Sequence, residues 1–514
     1  MVAADAAPAR TARLDQLTPS RFLVVLLVLF VHGVGGIYRE RLDVFPFSTL
    51  FHFAPSGVGF LFVLSGFVMS LVYHRPAAKF DVRSYWVARF VRLYPLYLLA
   101  FVLMSVYYAE FMPRISPAKI WANLFMIQGW IPAYAQSFNY PAWSITVEVA
   151  FYSLFPFLTI WSYRQPIRRL IWASIAFWVV SQIVHYFMWA RYFPAAENFI
   201  VYNPLFYMNS CFLGAVGGAW YVREARTSST PTRVTLPVLG IGTLLVVAVM
   251  VAGYLLPWFP NWLQPMQGLF APFFLIVILA LACDRSRVSS ALSHPLPVYL
   301  GETAYALYIL HIPVTWLYRQ GLQTLGLAEP LAVWAATALP LMVLAASAAH
   351  TYVDQPVRRW LSQFMRGTSV RLLMFDLVAV AASVYVSLIM RFDTRRELTR
   401  YEATALLMFW FAVVVRTLAS SVFRTNAGDV SRLAVRSVLQ RVALAVTAGS
   451  VTTAVLLWAA LALHWIPGVP RAVLVIDWAL VMVLSIVSRL ALRAGTRPVA
   501  AQVSPEASVP RGEG

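Results

Sequence analysis

The sequence has 514 residues, 60% of them hydrophobic, with a mean hydropathy of +0.70 and a formal net charge of +19. Soluble globular domains are about 45–50% apolar, so this composition excludes a soluble domain and requires a polytopic membrane protein. The positive charge, nearly all arginine, clusters between apolar runs as cytoplasmic loops do, which excludes nucleic acid and points to membrane lipid as the partner.

The start of the chain, MVAADAAPARTARLDQLTPSR, is polar and basic and runs into the apolar RFLVVLLVLFVHG. No small-residue cleavage site follows, so this run is expected to be an uncleaved first span rather than a signal peptide. Arg21 and His32 lie eleven residues apart in it. Eleven helical steps return to nearly the same face about 16 Å further along, which puts both groups on one stripe of one helix. Ionisable groups at bilayer depth are costly and mark functional sites by default. The plainer reading is a histidine at the end of a span, capped by Gly33, Gly35 and Gly36.

Candidate spans follow near residues 22–39, 49–73, 93–111, 140–162, 170–190, 201–222, 235–256, 264–283, 296–318 and 330–353, with four more near 371–390, 401–421, 441–464 and 471–491. The stretch 118–131 is apolar but short and is expected to be re-entrant or interfacial. The expected fold is therefore all-α, a membrane helical bundle of about ten spans plus about four. With the N-terminus inside, the loops carrying Arg75 and Arg83, Arg164 and Arg168, Arg223, Arg285, and Arg358 and Arg359 are cytoplasmic, and both termini lie in the cytoplasm. Arginines in loop 391–400 weaken that assignment for the last four spans. A domain boundary is expected near 366, giving domains 1–366 and 367–494 and a tail, 495–514, rich in Ala, Pro, Ser and Gly and expected to be disordered.

Segment 56–67 (SGVGFLFVLSGF) holds small residues that permit close helix approach. In segment 83–97 (RSYWVARFVRLYPLY), Arg89 and Arg92 are three apart and share a helix face. Two guanidiniums side by side suit a diphosphate; ordinary loop charge is the alternative, with Tyr94 and Pro95 marking the membrane entry. In segment 138–157 (FNYPAWSITVEVAFYSLFPF), Glu148 lies in a strongly apolar setting, where it could assist a histidine, orient a hydroxyl substrate or simply pair with an arginine. Segment 300–313 (LGETAYALYILHIP) flanks Tyr305 and Tyr308 with Glu302 and His311, and Pro313 suggests a broken helix. Asp354, Pro356, Arg358 and Arg359 read as a membrane exit into a basic amphipathic helix. Cys211 and Cys283 have neither the number nor the spacing of a disulfide framework or zinc site, and HExxH is absent, so metal-free chemistry is expected. In the last four spans Asp376, Asp477 and His464 are expected near span ends, without an intramembrane set comparable to the first part.

Six segments in this order resemble the acyltransferase 3 family of integral-membrane acyltransferases: LDQLTPSRFLVVLLVLFVH (14–32), GVGFLFVLSGFVMSL (57–71), YWVARFVRLYPLY (85–97), WSITVEVAFYSLFP (143–156), GETAYALYILHIPV (301–314) and YVDQPVRRWL (352–361). The resemblance spans about residues 12–362. It implies transfer of an acyl group, commonly acetyl, from acyl-CoA to a hydroxyl of an extracytoplasmic polysaccharide or lipid-linked glycan, in the inner or plasma membrane. It implies His32 and Glu148 as catalytic residues and Arg21, Arg89 and Arg92 as binding acyl-CoA. Ser65, Trp143, Ser144 and His311 are expected to bind the substrate. The sequence departs from the family's pattern at QLTPS after the Leu14–Asp15 pair and at Val149, where a second acidic residue is usual. RLLMFDLVAVAASVYVSLIMRFD (371–393) and VPRAVLVIDWALVMVLSIVSRLALR (469–493) resemble the four-span membrane anchor of polysaccharide-biosynthesis nucleotide-sugar dehydratases and epimerases, which implies a docking module and polysaccharide-assembly partners. The competing readings are a transporter or flippase of a glycan precursor, with His and Glu as proton-relay groups, and a membrane scaffold. The arginine pair argues against the flippase.

Overall fold

The computed structural model describes residues 14–30, 32, 56–76, 80–111, 117–225, 237, 240–242, 268–327, 333–367, 370–391, 401–427, 433–463 and 465–495. Gly33, Gly35, Gly36, most of the expected span 235–256, the loop after Arg391, His464 and the residues after 495 lie outside the described residues. The protein is all-α, and seven described helices are long and apolar enough to cross a membrane. The chain divides into two compact units, Met1–Arg359 and Trp360–Gly514.

In the first unit, α1 (Thr18–Phe30) follows a 3-10 turn over Asp15–Leu17, with Pro19 in its first turn, where a missing N–H leaves no bond unmade. The next helix, α2 (Ser56–Tyr73), continues the small-residue segment. Then α3 runs from Val82 to Phe111, so the expected span 93–111 begins well before Tyr94 and carries Arg89 and Arg92 inside the helix rather than in a loop. Asp81 starts it: its carboxylate accepts from the Ser84 hydroxyl at 2.5 Å and from the Arg83 and Ser84 N–H groups at 3.0 and 3.2 Å, which holds its pKa below the ordinary value. The stretch after it is no span but a short helix, α4 (Pro117–Leu124), and a 3-10 turn at Gln128–Trp130. The unit continues with α5 (Trp143–Tyr163), α6 (Ile167–Tyr192), α7 (Glu197–Tyr202), α8 (Met208–Trp220), α9 (Ala271–Cys283), α10 (Arg287–Leu292), α11 (Pro295–Thr324), α12 (Leu339–Ala348) and the start of α13 (Gln355–Gly367).

Two close approaches fix the centre of this unit. Where α2 crosses α8, a Cβ at Gly66 would strike the Cys211 carbonyl, and one at Gly214 the Val63 carbonyl. Gly214 and Gly218 are four apart, so α8 presents a small-residue groove to α2, as membrane helices do when packing rather than water expulsion drives association. A Cβ at Gly301 would likewise meet the Thr18 carbonyl, which sets α11 against the start of α1.

At one end of the unit, Arg223 ties helix ends together. Its guanidinium donates to the carbonyls of Ser162, Tyr163 and Gln165 at 3.0, 3.1 and 2.8 Å, satisfying the C-terminus of α5, and to His74 Nε2 at 2.8 Å. His74 follows the last residue of α2. Burial and the Arg223 charge push its pKa down to about 4.

The second unit holds α14 (Val370–Arg391), α15 (Glu402–Val422), α16 (Val435–Ala462) and α17 (Arg471–Gly495). Its interior is not free of charge, contrary to the expectation from sequence. Arg416 on α15 forms a bidentate pair with Asp477 on α17, while Ser383 on α14 donates to Asp477 at 2.6 Å and Ser450 on α16 accepts from Arg416 at 2.9 Å. One buried pair thus draws on all four helices. A second pair, Arg489 with Asp376, joins α17 to α14 and takes in Asn426. Sequence position places each group along its own helix; the pairing depends on residues 61 and 113 apart in the chain.

Two outcomes follow from these contacts. Arg416→Leu leaves Asp477 buried without its partner and should cost about 3–5 kcal/mol, whereas Arg416→Leu with Asp477→Leu should recover most of the loss; denaturant unfolding of the detergent-solubilised chain and its variants reads this. The lowered pKa of His74 means that the unfolded chain takes up a proton first as pH falls. The stability contributed by the neutral imidazole is therefore full above its ordinary value of 6.5 and is lost toward pH 4. His74→Gln keeps an acceptor for Arg223 and should flatten that part of the pH dependence of the thermal midpoint. Equal slopes in the two proteins would rule it out.

Candidate functional site

A narrow cavity of about 90 Å³ runs between α1, α2, α3, α5 and α11. Arg21, Arg89, Arg92 and Glu148 all line it, so four of the residues singled out from sequence converge from three helices. Each charge in it has a specific setting. Arg89 is caged by tyrosines, with its guanidinium 5.5 Å from the ring of Tyr73, 6.0 Å from Tyr85 and 5.9 Å from Tyr152. It also donates to the Tyr73 hydroxyl at 3.2 Å. Glu148 faces the three guanidiniums of Arg92, Arg21 and Arg89. Its carboxylate accepts from the Tyr152 hydroxyl at 3.4 Å, and that hydroxyl lies 3.0 Å from Ser65 Oγ. Ser65, Tyr152 and Glu148 therefore form a hydroxyl–hydroxyl–carboxylate row along the wall.

A second cavity of about 770 Å³ shares Arg21, Val68, Arg92 and Tyr305 with the first. To these it adds Arg285, Glu302, His350 and Arg358, so four guanidiniums face one space. The wall at Arg358 is pre-set by a buried network. A π turn over Ala349–Asp354 precedes α13, a distortion common at functional sites. Asp354 pairs with Arg358 at 2.7 Å and accepts from His350 Nδ1 at 3.1 Å, and Arg358 donates to the Arg92 carbonyl at 2.9 Å. Tyr305 donates to the Leu93 carbonyl at 2.7 Å, tying α11 to α3 at the junction of the two cavities.

Tyr308, which lines the narrow cavity with Ser144, is in ring contact with His311, one member of a histidine pair. Ser144 Oγ and the Tyr308 hydroxyl both donate to the Pro141 carbonyl, at 3.0 and 3.1 Å. His32 Nδ1 lies 2.9 Å from His311 Nε2, and the Tyr140 ring stands edge-on to His32 at 5.1 Å. The helix carrying His311 is not broken at Pro313, as expected from sequence, but runs unbroken from Pro295 to Thr324. Proline removes the N–H that would bond the carbonyl four residues back. That carbonyl, of Ile309, accepts instead from Asn139 Nδ2 at 2.8 Å. The loop ahead of α5 thus replaces the missing donor and locks α11 beside His32.

The residues inferred from sequence fall into two groups that the fold keeps distinct. Arg21, Arg89, Arg92, Glu148, Ser65 and Ser144 line the narrow cavity; His32 and His311 pair with each other beyond it. Trp143 lies in an aromatic cluster with Phe62, Tyr202 and Tyr207 and is not among the residues lining either cavity. Tyr152, Asn139, Tyr140 and His350 were not singled out from sequence. Tyr152 and His350 carry a weak signal, each one helical turn from its carboxylate, Glu148 and Asp354; Asn139 and Tyr140 act through partners distant in the chain. Among the described residues no group of His, Cys, Asp or Glu is arranged to hold a metal ion.

Residues 20–352 match the family described as the acyltransferase domain. The chain is 26% identical to acyltransferase MdmB of Streptomyces mycarofaciens over 387 residues, which cover 69% of this chain and 94% of that protein. It is 24% identical to O-acetyltransferase OatA of Staphylococcus aureus over 374 residues, 68% of this chain and 59% of OatA. No solved structure matches the chain.

The Asn139 bond yields a test by double substitution. Asn139→Leu should destabilise the protein by about 1–3 kcal/mol, the cost of an unmet buried carbonyl. In a Pro313→Ala background the helix supplies its own N–H to Ile309, and the same change should cost markedly less. Thermal unfolding of the four proteins in detergent gives the coupling; additive losses would show that the carbonyl is not the link.

Proposed function

The chain belongs to the acyltransferase family of integral-membrane enzymes, and we propose that it moves an acyl group, acetyl in the simplest case, from acyl-CoA to a hydroxyl of an extracytoplasmic glycan or glycolipid. The observation that carries this reading is the set of four guanidiniums facing one wide cavity, which shares Arg21, Arg92 and Tyr305 with a smaller cavity holding Glu148 and Tyr308, the latter in ring contact with His311 of the histidine pair. The wide cavity, or vestibule, suits a nucleotide bearing phosphates, since about 770 Å³ lies within the range of cofactor pockets and guanidiniums pair bidentately with phosphate oxygens. The smaller cavity, which shares Arg21, Arg92 and Tyr305 with the wide one, is the place this reading gives to the pantetheine arm. The relatives named acyltransferase and O-acetyltransferase support the class of reaction.

In this reading the phosphates of acyl-CoA rest against Arg92, Arg21, Arg285 and Arg358, and the thioester reaches toward His32. His32 takes the proton of the acceptor hydroxyl as its oxygen attacks the thioester carbonyl. The C–O bond forms, the C–S bond breaks, and the departing CoA sulfur receives the proton from His32. Arg89, held off by its tyrosine cage from the wide vestibule, and the Ser65–Tyr152–Glu148 row order the smaller cavity and its polar contents. Arginine-rich loops at the vestibule end argue that this end is cytoplasmic, where acyl-CoA is made, and that the enzyme lies in the plasma membrane with both termini inside. The second unit serves as a docking module toward polysaccharide-assembly proteins, on the likeness of its segments to the anchors of nucleotide-sugar enzymes.

Transfer of label from radioactive acetyl-CoA into the glycolipid fraction of membrane vesicles, with mass spectrometry of surface glycan from cells with and without the protein, tests donor and acceptor together. His32→Ala should lower transfer by about 10²–10⁴-fold in a folded, inserted protein. Arg92→Ala and Arg358→Ala should mainly raise KM for acetyl-CoA, with Arg92→Lys recovering part of the loss because an ammonium lacks the guanidinium fork. Near-normal transfer by His32→Ala, or an unchanged KM in both alanine variants, would overturn the respective assignments.

A further inference from the structure

The histidine pair contains a proton inventory that can be read atom by atom. His311 Nδ1 lies 2.6 Å from the carbonyl oxygen of Tyr308, three residues back on the same helix. A carbonyl only accepts, so His311 Nδ1 carries a hydrogen. In a neutral imidazole the other nitrogen is then a bare acceptor. That nitrogen, Nε2, lies 2.9 Å from His32 Nδ1, and the two rings are within 21° of coplanar with centroids 5.2 Å apart, which brings lone pair and N–H edge to edge. His32 Nδ1 must therefore be the donor, and His32 Nε2 is the nitrogen left without a hydrogen.

We propose that His311 is a positioning residue of the transfer reaction rather than a substrate contact: by accepting from His32 Nδ1 it fixes His32 in the tautomer whose Nε2 is free to take the acceptor's proton. The inference rests on the reading of His32 as the base. Its logic is that of a triad, in which a third group fixes tautomer and orientation, but here that group is a neutral imidazole anchored to a main-chain carbonyl. His311 is 2% exposed, and a neutral partner places no permanent charge in the bundle. When His32 takes the acceptor's proton at Nε2, its Nδ1–H stays bonded to His311, and that bond strengthens as a charge-assisted one until the proton passes to the departing sulfur. Asn139 holds α11 in register for this, because its bond to Ile309 fixes the turn that carries Tyr308 and His311.

The experiment uses the full chain in lipid bilayers, with histidine labelled by ¹⁵N and read by magic-angle-spinning NMR, the His32 signals being identified by their loss in His32→Gln. In the native protein His32 should show a protonated Nδ1 and an unprotonated Nε2. In His311→Leu that preference should be lost. Transfer of label from acetyl-CoA in vesicles should fall by about 10²–10³-fold in kcat, with KM for acetyl-CoA unchanged. His311→Gln, whose side-chain oxygen can still accept from Nδ1, should restore the tautomer and recover at least part of kcat. A native His32 protonated at Nε2, or a tautomer indifferent to His311→Leu, overturns the proposal. The two readings fail separately: an inactive His32→Ala with an unaltered tautomer in His311→Leu condemns the role of His311, whereas a fully active His32→Ala condemns His32 as the base whatever the NMR shows.

Discussion

Inside hydrocarbon no water answers a polar group, so each must be answered by the protein or by a cavity the protein keeps open. That constraint organises this molecule. Where the chain bears a charge away from the cavities, it is closed off: Arg416 on Asp477, Arg489 on Asp376. Where a charge faces open space, as at Arg92, Glu148 and Arg358, the space is one of the two cavities. Even a carbonyl exposed by Pro313 is met by Asn139. Among these groups, some are satisfied by the fold and others face a cavity.

The helices that frame the cavities are set by close backbone approach as much as by polar residues. Gly66 and Gly214 bring α2 and α8 into main-chain contact, and Gly301 brings α11 against α1. The first contact anchors α2, whose Ser65, one residue before Gly66, meets Tyr152 on α5. The second puts Glu302 and Tyr305 beside the vestibule and carries His311 along α11 to His32. Small residues at crossings therefore position the reactive groups without touching them, as expected where van der Waals contact is the main attraction between helices.

Much of this was legible in the residue order. Composition and run length dictate an all-α membrane protein, because a bilayer admits few other solutions for a chain this apolar. The spacing of Arg89 and Arg92 places both on one helix, and the apolar setting of Glu148 marks it as needing an answer. Less legible were lengths: α3 continues through its arginines because an Asp81 cap, not the first apolar residue, starts it. Proline misled at position 313 for a similar reason, since the donor that compensates it lies 170 residues earlier.

What the sequence determined by itself is the class of molecule, the placement of its charged residues along each helix and, through six ordered motifs, the kind of reaction expected of them. The first two follow from local rules, in which one residue's neighbours in the chain decide its depth and face; the third follows from resemblance to a known family. Only the tertiary structure decided the partners: that Glu148 faces three guanidiniums from two other helices, that Tyr152 links it to Ser65, that His32 meets His311 rather than Glu148, and that Arg416 finds Asp477. A partner is a property of two helices and their crossing. The crossing is set by side-chain volume at contacts such as Gly214 on Val63, which no periodicity along a single strand of sequence encodes.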